Sequence, residues 1–388
     1  MITRENIGEL AKFESPEGCA VSFYYQPLTP QNKSHREEAI LVKDLIRNAL
    51  LDAERAGRNG CARADLERIL DLAEALHGNS GRAKAVFACA NQSFWREFDL
   101  PPRLYDTRLF INRNFHLRPL TAIADVLPRY AVVLVDKSKA RFFTLSMEVL
   151  RETEGFVNKI PRRGRSDGFE GYDAGHAERH VDNEAQHHYK LVADHLLDLK
   201  QKGGFDKLII GARDENWGEF EPLLHTYIRP HMIGHFSIDP ATASPEQVRE
   251  SADRLISEFR RNRLDSLMRE VVGEAHRNGR GALGIRRVLR SLETGEVQTL
   301  LLSKDFAAPA IRCRNCGHVD INEHDRCAVC RGEVQKLSDV TDMLLTAAVR
   351  NGIEIVHVPP VEDFAKVGNV AALLRFRADQ NTTAKLAG

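Results

Sequence analysis

The sequence predicts a mixed α+β protein of the α/β class, arranged as three domains. Its 388 residues exceed what one ordinary core accommodates. Short apolar strand-like runs alternate with segments of helical periodicity. Pro119 and Pro128 punctuate the chain, and a second boundary is placed near Ser257 along a helical signal that runs on towards Gly279, giving expected domains 1–127, 128–257 and 258–388.

The first domain opens on Ala20-Val21-Ser22-Phe23-Tyr24-Tyr25, rich in β-formers. A charged helix is expected from about Ser34 to Ala56 and a second through Ala64 to Ala75, before strands at Ala83 to Ala90 and Arg108 to Asn112. Trp95 and Trp217 are expected as core anchors, the default use of an indole.

The second domain begins with strands at Tyr130 to Val135 and Ala140 to Leu145. Between them Asp136-Lys137-Ser138-Lys139 suits a hairpin turn. A more polar strand follows from Glu148 to Phe156. From 159 to 184 periodicity vanishes, and this stretch is expected as a long loop leading to a helix at Ala185 to Lys200. Strand Lys207 to Ala212, a helix through Trp217 to His225 and a strand near His231 to Ile238 continue the alternation. Ser244-Pro245-Glu246-Gln247 carries an N-cap, a proline at the first helical position and a capping-box glutamine, and the helical signal runs on towards Gly279.

The third domain repeats the pattern with helix Ile285 to Leu292, Gly295 as its C-terminal stop, strand Val297 to Ser303, an insert, helix Val340 to Arg350 ending at Gly352, and strand Ile353 to Val358. It closes on Ala371 to Phe376.

Lys+Arg and Asp+Glu are equal at 55 each, so any contact with nucleic acid must come through local patches. Met1 to Ala11 is charged throughout, and no run approaches the roughly 18 apolar residues of a membrane span. A cytoplasmic protein without a membrane partner is expected. Of seven cysteines, Cys19, Cys61 and Cys89 stand in apolar contexts and are expected as buried thiols, not disulfides.

The other four form Cys313-x-x-Cys316 and Cys327-x-x-Cys330 within an insert at 311–332. Two turns presenting paired thiolates at this spacing complete a tetrahedral shell, so a structural Zn²⁺ is expected. Gly317 and Gly332 follow the pairs where the backbone must turn back towards sulfur. Four free cysteines in a surface loop are the alternative. His318 and His324 are superfluous as ligands.

The 159–184 loop and the helix after it hold Arg162, Arg163, Arg165, His176, Arg179 and His180, expected to bind RNA, with arginines gripping phosphates and histidines stacking on bases. Two other readings compete. His176, His180 and His187 or His188 could ligate a catalytic metal with Glu184 as base, or the stretch is a solvated charged segment. Ser138 and Ser303 lie at strand ends without a nucleophile elbow, and no catalytic residue is assigned.

Gly284-Ile285-Arg286-Arg287-Val288-Leu289 leads to Leu292-Glu293-Thr294-Gly295-Glu296-Val297-Gln298-Thr299-Leu300-Leu301-Leu302-Ser303. Together with Gly368, Leu373-Leu374-Arg375-Phe376, the strand pair at Ala131 to Val135 and Ala140 to Phe143, and the CxxC insert, this resembles the release factor/Pelota superfamily over roughly Tyr130 to Gln380, in its bacterial branch. The resemblance implies a ribosome-binding translation factor that enters the A site against ribosomal RNA, with elongation factor Tu or another translational GTPase as partner. Release factors carry Gly-Gly-Gln in the middle-domain loop. Here Gly168-Phe-Glu-Gly171-Tyr-Asp-Ala-Gly175-His176 stands in that region, and no Gly-Gly-Gln occurs in the chain. Hibernation or rescue without peptidyl-tRNA hydrolysis is therefore the expectation, with stress response its setting. The alternatives are peptide release by a divergent loop in which His176 or His180 positions water, and an RNA- or protein-binding module off the ribosome. Asn32-Lys33-Ser34 is too short to assign codon reading.

Overall fold

The computed structural model describes residues 2–27, 36–55, 62–76, 83–101, 106–123, 128–146, 149–157 and 174–378. These fall into two compact units, Met1–Asp125 with Leu264–Gly388, and Val126–Arg263. The segments expected as first and third domains thus share one unit. The boundary expected near Ser257 falls inside a continuous helix, Pro245–His276, and the division comes after Arg263.

In the first unit, helix α1 (Arg4–Lys12) is capped by Thr3, whose hydroxyl accepts from the Asn6 amide while the Asn6 side chain accepts from the Thr3 amide. Strands β1 (Ala20–Tyr25), β2 (Ala83–Cys89), β3 (Phe94–Leu100) and β4 (Arg108–Asn112) form an antiparallel sheet in the order β3-β2-β1-β4. Helices α2 (Arg36–Arg55) and α3 (Arg63–Leu76) cover it, burying Val42, Ile46, Leu66 and Ile69 against Val21, Phe23 and Val86. Trp95 packs on the border of this core with the Arg68 guanidinium 3.8 Å above its ring, and its Nε1 donates to Glu97. Cys89 is a buried free thiol, but Cys19 is disulfide-bonded, which corrects the expectation of thiols alone; Cys61 lies outside the described residues.

The C-terminal part of the same unit holds a second sheet. Strands β10 (Gly281–Leu283), β11 (Val297–Ser303), β15 (Glu354–Val358) and β16 (Val370–Leu374) lie in the order β10-β16-β11-β15, with β11 and β15 parallel. Helices α8 (Ile285–Glu293) and α9 (Thr341–Arg350) bury Val288, Leu289, Leu344 and Leu345 on it. Polar contacts tie this part to the N-terminal part. His116 Nδ1 meets Asp342 Oδ2 at 2.5 Å, and Arg118 in α4 (Arg118–Ile123) donates to the carbonyls of Lys304 and Phe306.

Thr121 Oγ1 already donates to the Arg118 carbonyl, so it accepts from His357 Nε2, 3.1 Å away. Burial, reinforced by Arg118 and Lys304, pushes the His357 imidazole down to about 4. A histidine held neutral in the fold but basic when unfolded stabilises fully above its unfolded value of about 6.5, and that stability is lost as pH falls towards 4. Roughly 3 kcal/mol is at stake across this window. Urea midpoints are expected to fall between pH 6.5 and 4, and His357→Gln, which can still donate to Thr121, is expected to flatten that slope.

The second unit is a five-stranded sheet in the order β7-β6-β5-β8-β9, from β5 (Tyr130–Val135), β6 (Lys139–Ser146), β7 (Val149–Val157), β8 (Lys207–Ala212) and β9 (Met232–Ser237). β5, β8 and β9 run parallel. The hairpin at 136–139 forms as expected: Asp136 Oδ1 accepts from the Ser138 and Lys139 amides, both at 2.7 Å. Helices α5 (Ala174–Gln201) and α6 (Asp214–Phe220) bury Tyr189, Val192, Leu196 and Phe220 on one face, and α7 (Pro245–His276) packs Val248, Ala252 and Ile256 on the other. Ser244 and Gln247 bond reciprocally at the start of α7, as the capping box requires.

Helix α5 begins at Ala174, so residues 174–184 are helical where a loop was expected. Their sequence carries no amphipathic pattern and so reads as loop. Among the described residues no helix is long and apolar enough to cross a membrane.

Candidate functional site

The four-cysteine insert is built on three short strands, β12 (Ala310–Cys313), β13 (Val319–Asp320) and β14 (Val334–Leu337), in the order β13-β12-β14. The two knuckles repeat one another. The Cys313 amide donates to the His318 carbonyl and the Cys327 amide to the Gly332 carbonyl, each closing a turn over its CxxC pair. Gly317 (φ 75°) and Arg331 (φ 60°) take the left-handed conformation at equivalent positions. This corrects the role expected of Gly332: the strained position is Arg331. Gly332 matters for space instead, since a Cβ there would lie 3.0 Å from Asn315 Cβ, 3.3 Å from Cys330 Sγ and 3.4 Å from Cys313 Sγ.

All four sulfurs lie within 4.8 Å of one another, with Cys313 to Cys330 at 3.4 Å and Cys316 to Cys327 at 3.6 Å. A tetrahedral shell with bonds of about 2.3 Å sets its sulfurs about 3.8 Å apart, close to both values. The Asn315 and Cys316 amides point at Cys313 Sγ and the Val329 amide at Cys327 Sγ, 3.4 to 3.5 Å away. The Gly332 amide and the neighbouring Cys313 and Cys316 sulfurs bring the Cys330 thiol down to about 6. At Cys316 the His318 amide pulls down, but the Cys330 sulfur, burial and the other two sulfurs prevail and hold the proton to about 12. Without a cation the cluster thus shares protons between crowded sulfurs, and a divalent ion would relieve that crowding. Four cysteines close the shell, so the site can hold a metal ion but leaves no open coordination position for catalysis.

His318 and His324 face carboxylates instead, His318 Nδ1 at 2.8 Å from Glu293 and His324 Nε2 at 3.6 Å from Asp320. Among the described residues the four cysteines are the group with metal-ligand spacing. His187 is exposed, whereas His188 is buried and its imidazole is pushed down chiefly by desolvation, as befits a neutral core histidine beside the Lys139 backbone.

Of the RNA-binding candidates, Arg162, Arg163 and Arg165 lie outside the described residues. His176, Arg179 and His180 fall on the first turns of α5, immediately after that segment. Trp217 is buried to 9% exposure and stacks on His235 at 4.6 Å, an anchor as expected. Sequence reasoning missed a polar edge on the second unit, where Arg129, Lys207 and His231 precede or begin parallel strands; strand-start positions carry no periodic signal.

Residues 116–256 match the family model described as bacterial archaeo-eukaryotic release factor family 10. The chain is 24% identical over 308 residues to peptide chain release factor subunit 1 of Pyrococcus abyssi (strain GE5 / Orsay), covering 72% of this chain and 74% of that one. It is also 24% identical over 311 residues to the protein of that name from Thermococcus onnurineus (strain NA1), with the same coverage. A solved archaeal translation termination factor aligns with 97% of this chain and 99% of its own at 15% identity, with a TM-score of 0.27. Pelota of Archaeoglobus fulgidus aligns with 97% and 93% at 13% identity and a TM-score of 0.33.

Proposed function

We propose that this chain, of which residues 116–256 match the bacterial archaeo-eukaryotic release factor family 10 model, is a translation factor of the release factor/Pelota kind that occupies the ribosomal A site, for hibernation or rescue, and does not hydrolyse peptidyl-tRNA. The observation that carries this reading is the combination of the family match over 116–256 with the lack of Gly-Gly-Gln anywhere in the sequence. Release needs a water oriented beside the ester by a side chain on a glycine-permitted backbone. Gly168 to His176 offers glycines but no glutamine.

In this reading 1–127 faces the decoding region, the segment before α5 reaches towards the peptidyl-transferase centre, and 258–388 meets a translational GTPase such as elongation factor Tu. Arg162, Arg163, Arg165 and Arg179 grip ribosomal RNA phosphates, with His176 and His180 stacking or donating beside them. The insert holds a structural Zn²⁺ through Cys313, Cys316, Cys327 and Cys330, which fixes three strands of two to four residues that have little core of their own. The protein works in the cytoplasm.

Sedimentation of tagged protein through sucrose gradients of lysates from growing and starved cells tests this. Comigration with 70S particles is expected, and free protein in both lysates would overturn it. The naming of the matched relatives as release factors favours one second reading, peptide release by a divergent loop. Release of labelled peptide from programmed ribosomes, abolished by His176→Ala, would establish that instead.

A further inference from the structure

We propose that the N-terminal edge of the parallel strands in the second unit is a separate RNA-binding surface, where Tyr227 stacks on an unpaired base and surrounding cations hold the flanking phosphates. This rests on the reading of the protein as an RNA-bound factor but uses none of the residues before α5.

The topology assembles the surface. β5, β8 and β9 are in register at Tyr130 with Lys207 and at Leu208 with Met232, so Arg129, Lys207 and His231 come to one edge. The end of α5 adds Lys200, whose Nζ donates to the Phe205 carbonyl at 3.1 Å. Helix α7 adds Phe259, with Lys207 Nζ 5.2 Å from its ring, and Arg260, whose guanidinium reaches the Tyr130 hydroxyl at 3.4 Å. Burial first, then the like charges of Arg263 and Lys200, make the Lys207 ammonium easier to deprotonate than usual. Cations crowded in this way gain from an anion between them. Asp206 accepts from the Arg129 amide at 2.9 Å and lies 4.0 Å from its guanidinium, and Asp198 pairs with Lys202 at 2.7 Å. Arg129, Lys200, Lys207 and Arg260 outnumber Asp206 among the edge residues named.

The loop that follows α6 supplies the stacking ring. Tyr227 is 74% exposed and lies parallel to His225, 5.3 Å between centroids and 7° between planes. It is held there: its amide donates to His225 Nδ1, Ile228 is fully buried beneath it, and Arg229 donates to the carbonyls of Glu221, Pro222 and Leu224. His231 Nδ1 lies 3.1 Å from the Asp206 carbonyl, joining this loop to the start of β8 beside Lys207. A solvent-facing aromatic, stacked on His225 in a loop tied to the strand start that carries Lys207, matches a base with its flanking phosphates. An acidic protein would use the charges but has no need of the presented ring.

The test uses the full chain and measures binding to 70S ribosomes by cosedimentation and to a fluorescent single-stranded RNA by anisotropy at several salt concentrations. Tyr227→Ala is expected to weaken RNA binding roughly tenfold with the salt slope unchanged. Lys207→Met, which keeps the stem over Phe259, is expected to reduce the log–log salt slope by about 0.7. Should that variant lose thermal stability, Lys200→Gln reads the same slope. RNA binding without ribosome binding would support the surface and sink the A-site reading. Ribosome and RNA binding that both variants leave intact would overturn the surface and spare that reading. Competition by polyglutamate as effective as RNA, together with indifference to Tyr227→Ala, would overturn it in favour of an acidic protein partner.

Discussion

Replacing Cys330 by serine, or stripping the protein with a strong chelator, is expected to unfold the 311–332 insert while the two larger sheets persist. The strands concerned, β12, β13 and β14, comprise four, two and four residues. A ladder this small does not hold itself in water. To the neighbouring core the insert and its strands give Ala310 and Val319, with Ile321 and Leu337 only partly buried against it. Structural zinc supplies on the order of 10–16 kcal/mol of apparent folding free energy in small domains that depend on it, so its loss dominates every local contact here. Metal analysis should find about one zinc per chain in wild type and far less in the serine variant. Hydrogen exchange should show lost protection at the amides of Cys313 and Cys327, which bond across their knuckles, with β11 and β16 unchanged. Full protection in metal-free protein would show that the strands and Gly332 packing suffice.

This site was the most legible part of the sequence, because thiolate spacing is a local property that survives any tertiary context. The same holds for the caps and turns: Ser244 with Gln247, and Asp136 with the amides of Ser138 and Lys139, form as their residue types dictate. Strands built around an unbroken apolar run, such as Lys207–Ala212 and Val297–Ser303, were legible to the residue. Other features depend on neighbours distant in sequence. β3 alternates only weakly, because Trp95, Arg96 and Glu97 stay at least partly solvated, and it is defined by its pairing with β2. The sequence of the early turns of α5, from Ala174 to Glu184, carries no apolar period that could report a helix. Arg331 in a left-handed turn follows from the fold of the knuckle, where sequence reasoning placed the burden on the adjacent glycine. The union of the N- and C-terminal segments in one unit rests on pairs such as His116 with Asp342 and His357 with Thr121, 226 and 236 residues apart, which no local pattern encodes.

Gly281→Ala is expected to cost the first unit at least about 3 kcal/mol, at the upper end of ordinary overpacking. Gly281 opens β10, which pairs with β16 at Leu373, and its other side faces the last turns of α7. A Cβ there would stand 2.2 Å from the Val271 carbonyl oxygen, 2.4 Å from the Ala275 amide nitrogen and 2.9 Å from Ala275 Cα. Every one of these is backbone, so no side-chain rotamer can yield, and relief requires moving the strand or the helix. Moving either disturbs the cluster of Val271, Leu301, Phe364, Ala371 and Leu373 that the two elements enclose. Gly273, eight residues earlier on α7, is the control: a Cβ there meets only Arg277 Nη2 at 3.6 Å. Alanine at Gly273 should therefore stabilise the helix by up to about 1 kcal/mol through its greater propensity. Thermal melting of both variants reads the contrast directly, with Gly281→Ala falling by roughly 5 °C or more and Gly273→Ala level or higher. Equal midpoints for the two would mean that helix and strand stand further apart in solution than the contact at Gly281 requires.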